Sequence, residues 1–402
     1  MSTRLYEPVE HRPLDARPWS ETEARAAIAA ITADAVGAYR GPEELWPNAV
    51  DDLEGEPDTP FRSAYLGAAG VAWALDLLAR EGLGPQLPGL VELADSLPEG
   101  FRRAPELVKL APAPAPSLLF GESGILLAVE AIRQNGEHLD ELAACIRRNA
   151  RNPTLELCWG SPGTMLAALE MWRATGEERW REAWLDSAQW LLGEWHESLW
   201  IQDLYGEKRR LTGAGHGFAS NAFALLAGRD LLGDRAVVLT DRILGAFREH
   251  AVEGDGAAQW HPIAGVETPR LPVQWCHGSP GLVTSLAGLP PDHETDRLLA
   301  AGGELTWRAG PLVKGAGLCH GTAGNAYAFL SLHARSGDQS WLERARMFAM
   351  DAVADVDRRR EANGRGRYTL FTGDIGVALL LRSCLTADAT FPFLTRAARL
   401  NH

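Results

Sequence analysis

No run of eighteen apolar residues occurs anywhere in the sequence. Its start, Met1-Ser2-Thr3-Arg4, has neither the apolar core of a secretory signal nor the second-position glycine that myristoylation requires. A membrane anchor is therefore not expected, and the expected location is cytoplasmic. Cysteine is scarce: five in 402 residues, at 145, 158, 276, 319 and 384, too few and too scattered for a disulfide framework. Positive charge is the minority sign, with 39 Lys and Arg against 53 Asp and Glu and a formal net charge of −14. No nucleic-acid partner is expected, because holding a phosphate backbone takes clustered basic residues. A small anionic ligand held by a few local basic side chains remains compatible with that balance. Nothing reads as an extended series of strands. What is present is the composition of a globular protein with a large core, 46% hydrophobic and 23% charged.

Residues 1 to 19 are rich in Pro, Arg and Glu without periodicity and read as an irregular arm. Ser20 and Glu23 form a capping-box pattern ahead of the alanine-rich run from Ala24 to Tyr39, which predicts a first helix. The acidic, proline-bearing stretch from Gly41 to Pro60 reads as a long loop.

From there the chain repeats itself. Glycine pairs three residues apart, preceded by apolar or aromatic residues and followed by an apolar run, occur at Gly67/Gly70, Gly121/Gly124, Gly160/Gly163, Gly278/Gly281, Gly321/Gly324 and Gly373/Gly376. A seventh copy is degenerate, with Gly217 followed by Ser220. From Gly67 to Gly373 the mean spacing is 51 residues, enough for two helices and their connections. The runs after the turns (Val71 to Ala79, Ile125 to Ile132, Thr164 to Trp172, Ala326 to Leu332) are apolar nearly all round, as in helices covered on both faces. Between them lie amphipathic segments, clearest from Glu178 to Trp195, where Trp180, Trp184, Leu185, Ala188, Leu191 and Leu192 recur at helical spacing, and similar from Asp338 to Val353. The pattern predicts an all-α fold, an α/α toroid of seven inner plus seven outer helices. Residues 61–402 form the ring, and residues 1–60 pack on it within a single domain. All seven glycine turns then gather at one end, around a central funnel.

Two turns carry soft metal ligands. Gln274-Trp275-Cys276-His277-Gly278-Ser279-Pro280-Gly281 is answered by Leu318-Cys319-His320-Gly321-Thr322-Ala323-Gly324-Asn325. Cys276 and Cys319 stand 43 residues apart at equivalent points of consecutive repeats, and His320 adjoins Cys319. Two thiolates and an imidazole can hold one zinc ion (Zn2+) and leave a fourth position open, as catalytic zinc does. Two buried cysteines and a rim histidine are the bland alternative; repeat equivalence and the paired Cys-His-Gly tripeptides favour the metal. His216, between Gly215 and Gly217 at the fourth turn, is the candidate acid or base. Glu156, four residues before Gly160, could orient that histidine or assist proton transfer. His277 reads as a neighbour of the ligands or a substrate contact. Cys158, lacking an adjacent His, and Cys145 and Cys384, within helical stretches, read as core.

At these residues the chain resembles the lanthionine synthetase C-like family, through Trp275-Cys276-His277-Gly278-Ser279-Pro280-Gly281 and the run from Cys319 to Leu330. It is more similar to the eukaryotic-type LanC-like proteins than to the lantibiotic cyclases. The resemblance implies the α/α toroid, catalytic zinc on Cys276, Cys319 and His320, proton transfer by His216, and an acidic residue at Glu156. It further implies that Lys314 contacts glutathione, together with an arginine before the last turn, either Arg367 or Arg365. Lantibiotic cyclases carry an Arg four residues before the first ligand Cys and a Tyr after it; this chain has Pro272 and His277. The activity so implied is addition of glutathione or another small thiol to dehydroalanine or dehydrobutyrine in a protein or peptide. A lanthionine-forming peptide cyclase and a non-enzymatic zinc- and glutathione-binding regulator are the alternatives. α/α-toroid glycosidases share the architecture but work with paired carboxylates.

Overall fold

The computed structural model describes residues 4–53, 59–107, 110, 115–266, 268 and 270–395. Ser20 accepts a hydrogen bond from the Glu23 backbone N–H at 3.2 Å and so starts α1 (Glu21–Ala38) where the cap pattern places it. The expected loop from Gly41 contains one helical turn, Val50–Leu53, and part of it lies outside the described residues. Thirteen further helices follow: α2 (Ala68–Arg80), α3 (Leu90–Arg103), α4 (Glu122–Arg133), α5 (Leu139–Asn149), α6 (Ser161–Thr175), α7 (Glu178–Gly193), α8 (Phe218–Ala227), α9 (Arg235–Glu249), α10 (Ser279–Leu286), α11 (His293–Ala309), α12 (Thr322–Ser336), α13 (Gln339–Asn363) and α14 (Asp374–Thr386). None is long and apolar enough to cross a membrane.

The even-numbered helices from α2 to α14 each pack on the next, and α14 returns to α2, closing an inner ring. The odd-numbered helices surround it. The inner helices are covered nearly all round: α4 buries every residue from Glu122 to Ile132, and α12 every residue from Thr322 to Leu332. The outer ones bury one face, as α7 does with Trp180, Ala183, Trp184, Ser187, Ala188 and Leu191, leaving Leu185 and Leu192 at the edges. The outer partner of α14 is α1, from the other end of the chain. The double ring is the α/α toroid of the sequence reading.

The paired glycines have one steric cause. A Cβ on the second glycine would meet the carbonyl oxygen six residues earlier, at 2.1 Å for Gly70 and Ala64, 1.8 Å for Gly124 and Leu118, 1.9 Å for Gly281 and Trp275, and 1.7 Å for Gly324 and Leu318. The first turn of each inner helix thus lies directly on the strand of chain leading into it. The residues two before the first glycine form a seam around the funnel. Gly215 N–H donates to the Cys276 carbonyl, Cys276 N–H to Cys319, Cys319 N–H to Phe371, Phe371 N–H to Tyr65 and Tyr65 N–H to Leu119, all within 2.8–3.3 Å. At the remaining gap the Phe120 and Trp159 rings pack at 4.7 Å and the Cys158 thiol donates to the Gly215 carbonyl at 3.5 Å. The seven turns therefore meet at one end of the ring.

Two β-hairpins flank the fourth unit, which the sequence reading did not anticipate. β1 (Gln202–Leu204) pairs antiparallel with β2 (Glu207–Arg209), and β3 (Ala251–Gly254) with β4 (Ala257–Trp260). Their two-residue turns, Tyr205-Gly206 and Asp255-Gly256, have φ of 54° and 79°, and 52° and 72°, the left-handed pair of a type I′ turn.

Candidate metal centre and proton-transfer dyad

The seam brings Cys276 and Cys319 side by side at the funnel wall. Their sulfurs and a ring nitrogen of His320, the next residue, all lie within 4.8 Å of one another. Ligand atoms of a loaded tetrahedral zinc site stand about 3.3–3.8 Å apart, so small rotations of these side chains would close on an ion. The donor set fits zinc: two thiolates and one imidazole, with both sulfurs nearly out of solvent and His320 half-buried. The thiols share their charge unequally. A hydrogen bond from Cys276, outweighing burial and joined by His320, holds Cys319 well below the ordinary thiol range, while the same contact and burial push Cys276 well above it. Gln274 Nε2 donates to Cys276 Sγ at 3.1 Å. This outer support for a ligand was missed in the sequence, though it stands within the same motif.

In the neighbouring unit of the ring, His216 Nδ1 lies 2.7 Å from Glu156 Oε2. Glu156 is fully buried, and its carboxylate is fixed by its own turn: Oε2 accepts the Cys158 N–H at 2.8 Å, and Oε1 accepts those of Trp159 at 2.6 Å and Gly160 at 3.0 Å. Three backbone donors and an imidazole thus satisfy both carboxylate oxygens in the core. Burial alone would lower the His216 pKa, but the hydrogen bond and charge of Glu156, and the charge of Cys319, together raise it. With Nδ1 committed to Glu156, Nε2 is the nitrogen left for the funnel.

In units four, five and six the residue after the seam position is a histidine: His216, His277 and His320. The rings of His216 and His277 stand 5.9 Å apart, tilted by 34°. Burial, then the positive charge of His216, pulls His277 down to about 4, and its buried Nδ1 has no hydrogen-bond partner. Cys158, read as core, is indeed buried, yet its sulfur clusters with Glu156 and His216, all three ligand atoms within 4.8 Å. Its signal was its register, two residues before the turn glycine like Cys276 and Cys319.

Lys314 is exposed, and its charge acts on both Cys276 and His277. Arg365 and Arg367 line an adjoining cavity of about 250 Å³ with Gly315, Gly317, Arg359 and Arg360. Their guanidiniums are used differently. Arg367 closes its fork on Asp52, with Nε 2.8 Å from Oδ2 and Nη2 on Oδ1, and Thr372 Oγ1 also donates to Asp52 at 2.7 Å. Arg365 is exposed and donates only Nη2 to the Asn48 carbonyl, at 2.8 Å. Of the two, Arg365 keeps donors for a ligand.

A family model described as lanthionine synthetase C-like protein matches residues 61–395. Among characterised relatives, a zebrafish (Danio rerio) protein named glutathione S-transferase LANCL1 is 40% identical over 126 residues, 30% of this chain and 31% of that protein. The LanC-like protein GCL1 of Arabidopsis thaliana is 38% identical over 129 residues, 30% of this chain and 29% of that one. The matched stretches thus span under a third of those relatives. Among solved structures, nisin cyclase superposes with a TM-score of 0.60 over 94% of this chain and 97% of its own, at 13% identity, a likeness of fold. With seven glycine turns closed into a ring and a family match running through all of them, the chain belongs to the lanthionine synthetase C-like family.

Proposed function

We propose that this protein is a zinc-dependent enzyme that adds a small thiol, glutathione or a similar one, to dehydroalanine or dehydrobutyrine residues of a protein or peptide, forming a thioether. The juxtaposition of a two-cysteine, one-histidine ligand set with a Glu–His dyad in one funnel carries this reading. Cys276, Cys319 and His320 would hold the zinc, whose positive charge supplies what a thiol of ordinary pKa about 8.5 lacks at neutral pH, a stable deprotonated form. Lys314 and Arg365 offer the positive charge that a thiol substrate's carboxylates need, in a protein whose net charge is otherwise −14.

The substrate sulfur bonds to the β-carbon, the carbon–carbon double bond moves its electrons toward the carbonyl, and the resulting enolate takes a proton at the α-carbon. In this reading His216 gives that proton. Glu156 fixes Nδ1–H, so Nε2 presents toward the funnel, and the raised pKa keeps a proton available near neutrality. Pro272 and His277, where lantibiotic cyclases carry Arg and Tyr, weigh toward addition of a separate thiol over ring closure. The test is a dehydroalanine peptide incubated with glutathione and zinc-loaded protein. A mass increase of one glutathione, lost in Cys276→Ala together with the zinc, is the expected result; no adduct with zinc bound would overturn the reading.

A further inference from the structure

Cys158 has no part in the proposed reaction, yet it is the third cysteine of the funnel seam. Its sulfur, a Glu156 carboxylate oxygen and a His216 ring nitrogen all lie within 4.8 Å of one another, as do the ligand atoms of the Cys276, Cys319 and His320 set. We propose that Glu156, Cys158 and His216 form a second divalent-cation site, of the zinc class, whose filling switches the proton-transfer histidine off.

The chemistry of the donors supports this. Glu156 Oε2 and His216 Nδ1 are 2.7 Å apart, joined by one proton; an ion in place of that proton takes a lone pair from each with a slight widening. The Cys158 thiol gives a 3.5 Å hydrogen bond to the Gly215 carbonyl, and burial and the Glu156 charge push its pKa well above the ordinary thiol range, so its proton leaves only when the charge of an ion takes its place. A carboxylate, a thiolate and an imidazole form a donor set that zinc takes and that magnesium or calcium, which prefer oxygen alone, do not. Glu156 keeps its other oxygen on the backbone N–H groups of Trp159 and Gly160, which orient it as outer hydrogen bonds orient metal ligands. Access is from the funnel, where the His216 side chain is 20% exposed while that of Glu156 is wholly buried. Binding releases two protons to solvent, one from the Cys158 sulfur and one from His216. The site differs from the first in having one thiolate in place of two, and that difference is measurable.

Binding at this site is independent of the reaction proposed above; only the silencing of His216 rests on that reading. The protein carrying one zinc per chain is titrated with cobalt(II), which does not displace zinc from thiolates but can fill a vacant site. One further cobalt per chain, with a thiolate-to-cobalt charge-transfer band, is expected in the unaltered protein, and loss of that band with the first zinc retained in Cys158→Ser. Should Cys158→Ser fail to fold, cadmium-113 NMR of the unaltered protein distinguishes the sites directly, as two resonances in the ranges of two-thiolate and one-thiolate coordination. No second ion, or a cobalt band that survives Cys158→Ser, overturns the proposal. In the thiol-addition assay, excess zinc should depress the rate on the order of 10²-fold or more in the unaltered chain, the size of effect lost proton transfer brings. If the assay shows no activity at all while cobalt binds, the second site stands and the proposed reaction falls.

Discussion

Glu156 Oε2 and His216 Nδ1, sixty residues apart in sequence, lie 2.7 Å from each other at the funnel, the carboxylate fully buried and locked by three N–H groups of its own turn. Such a carboxylate sets both the tautomer and the proton affinity of its histidine. Glu156→Gln keeps an acceptor for the turn but removes the charge that holds the His216 pKa up. The sign follows from the direction of that shift. A histidine that acts as an acid loses activity as pH rises through its pKa, so a lowered pKa moves this alkaline limb to lower pH. The expected result is a loss in kcat/KM on the order of 10²–10⁴ at neutral pH with the limb displaced toward acid. A pH–rate profile whose limb stays in place would rule out the dyad.

Gln274 donates to Cys276 Sγ at 3.1 Å, a charge-assisted hydrogen bond once that sulfur is a thiolate. Removing an outer partner of a metal ligand commonly costs about 10–100-fold in metal affinity. Gln274→Ala is therefore expected to bind zinc that much more weakly in competition with a chromophoric chelator, with helix content unchanged. Affinity equal to the unaltered protein would show that the contact is incidental.

The ring and the first metal set were legible because each is periodic. The glycine pairs mark the seven places where a helix sits on its own approach, and Cys276 and Cys319 occupy one register of that repeat. Cys158 holds the same register but has Trp159 where the others have His, and a search for Cys-His pairs passes over it. The hairpins were hidden because strands of three or four residues are too short to show alternation, although Asp255-Gly256 is a turn dipeptide. Nothing local could show that Asp52 closes on Arg367, 315 residues away, or that α1 completes the outer ring beside α14. Those pairings depend on ring closure, which brings the two ends of the chain together.

An alanine at 324 would place its Cβ 1.7 Å from the Leu318 carbonyl oxygen and 3.0 Å from Trp275 Cβ, between the two ligand-bearing turns. Backbone must move to admit it, so Gly324→Ala is expected to destabilise by about 3–5 kcal/mol and to lower zinc content. Unit four provides the control. There Ser220 stands in the second-glycine position, and its hydroxyl donates to the Gly217 carbonyl at 2.8 Å and accepts the Gly217 N–H at 3.4 Å. Ser220→Gly removes these two bonds, the second a weak one, and is expected to cost only about 1–2 kcal/mol. Denaturant midpoints for both variants check the contrast; equal effects would mean that glycine at these turns is not set by the close approach.

Glu106 lies outside the funnel and offers a test of the fold's electrostatics by itself. Its buried carboxylate accepts the backbone N–H groups of Arg62 and, at 3.0 Å, Ser63, but burial dominates and lifts its pKa from the ordinary 4.5 to about 7. A carboxyl whose folded value lies above its unfolded one costs nothing below the unfolded value. As pH rises from 4.5 the unfolded chain ionises first, and stability is lost progressively until the folded group also ionises near 7. The loss amounts to about 3 kcal/mol. Glu106→Gln keeps an oxygen for the same two N–H groups and removes the ionisation. The variant should match the unaltered protein near pH 4.5 and exceed it in Tm at pH 7.5, the gap opening through this window. A gap that is flat, or that opens in the opposite sense, would show that Glu106 is ionised in the folded protein throughout, sustained by its two N–H donors and the neighbouring Arg62.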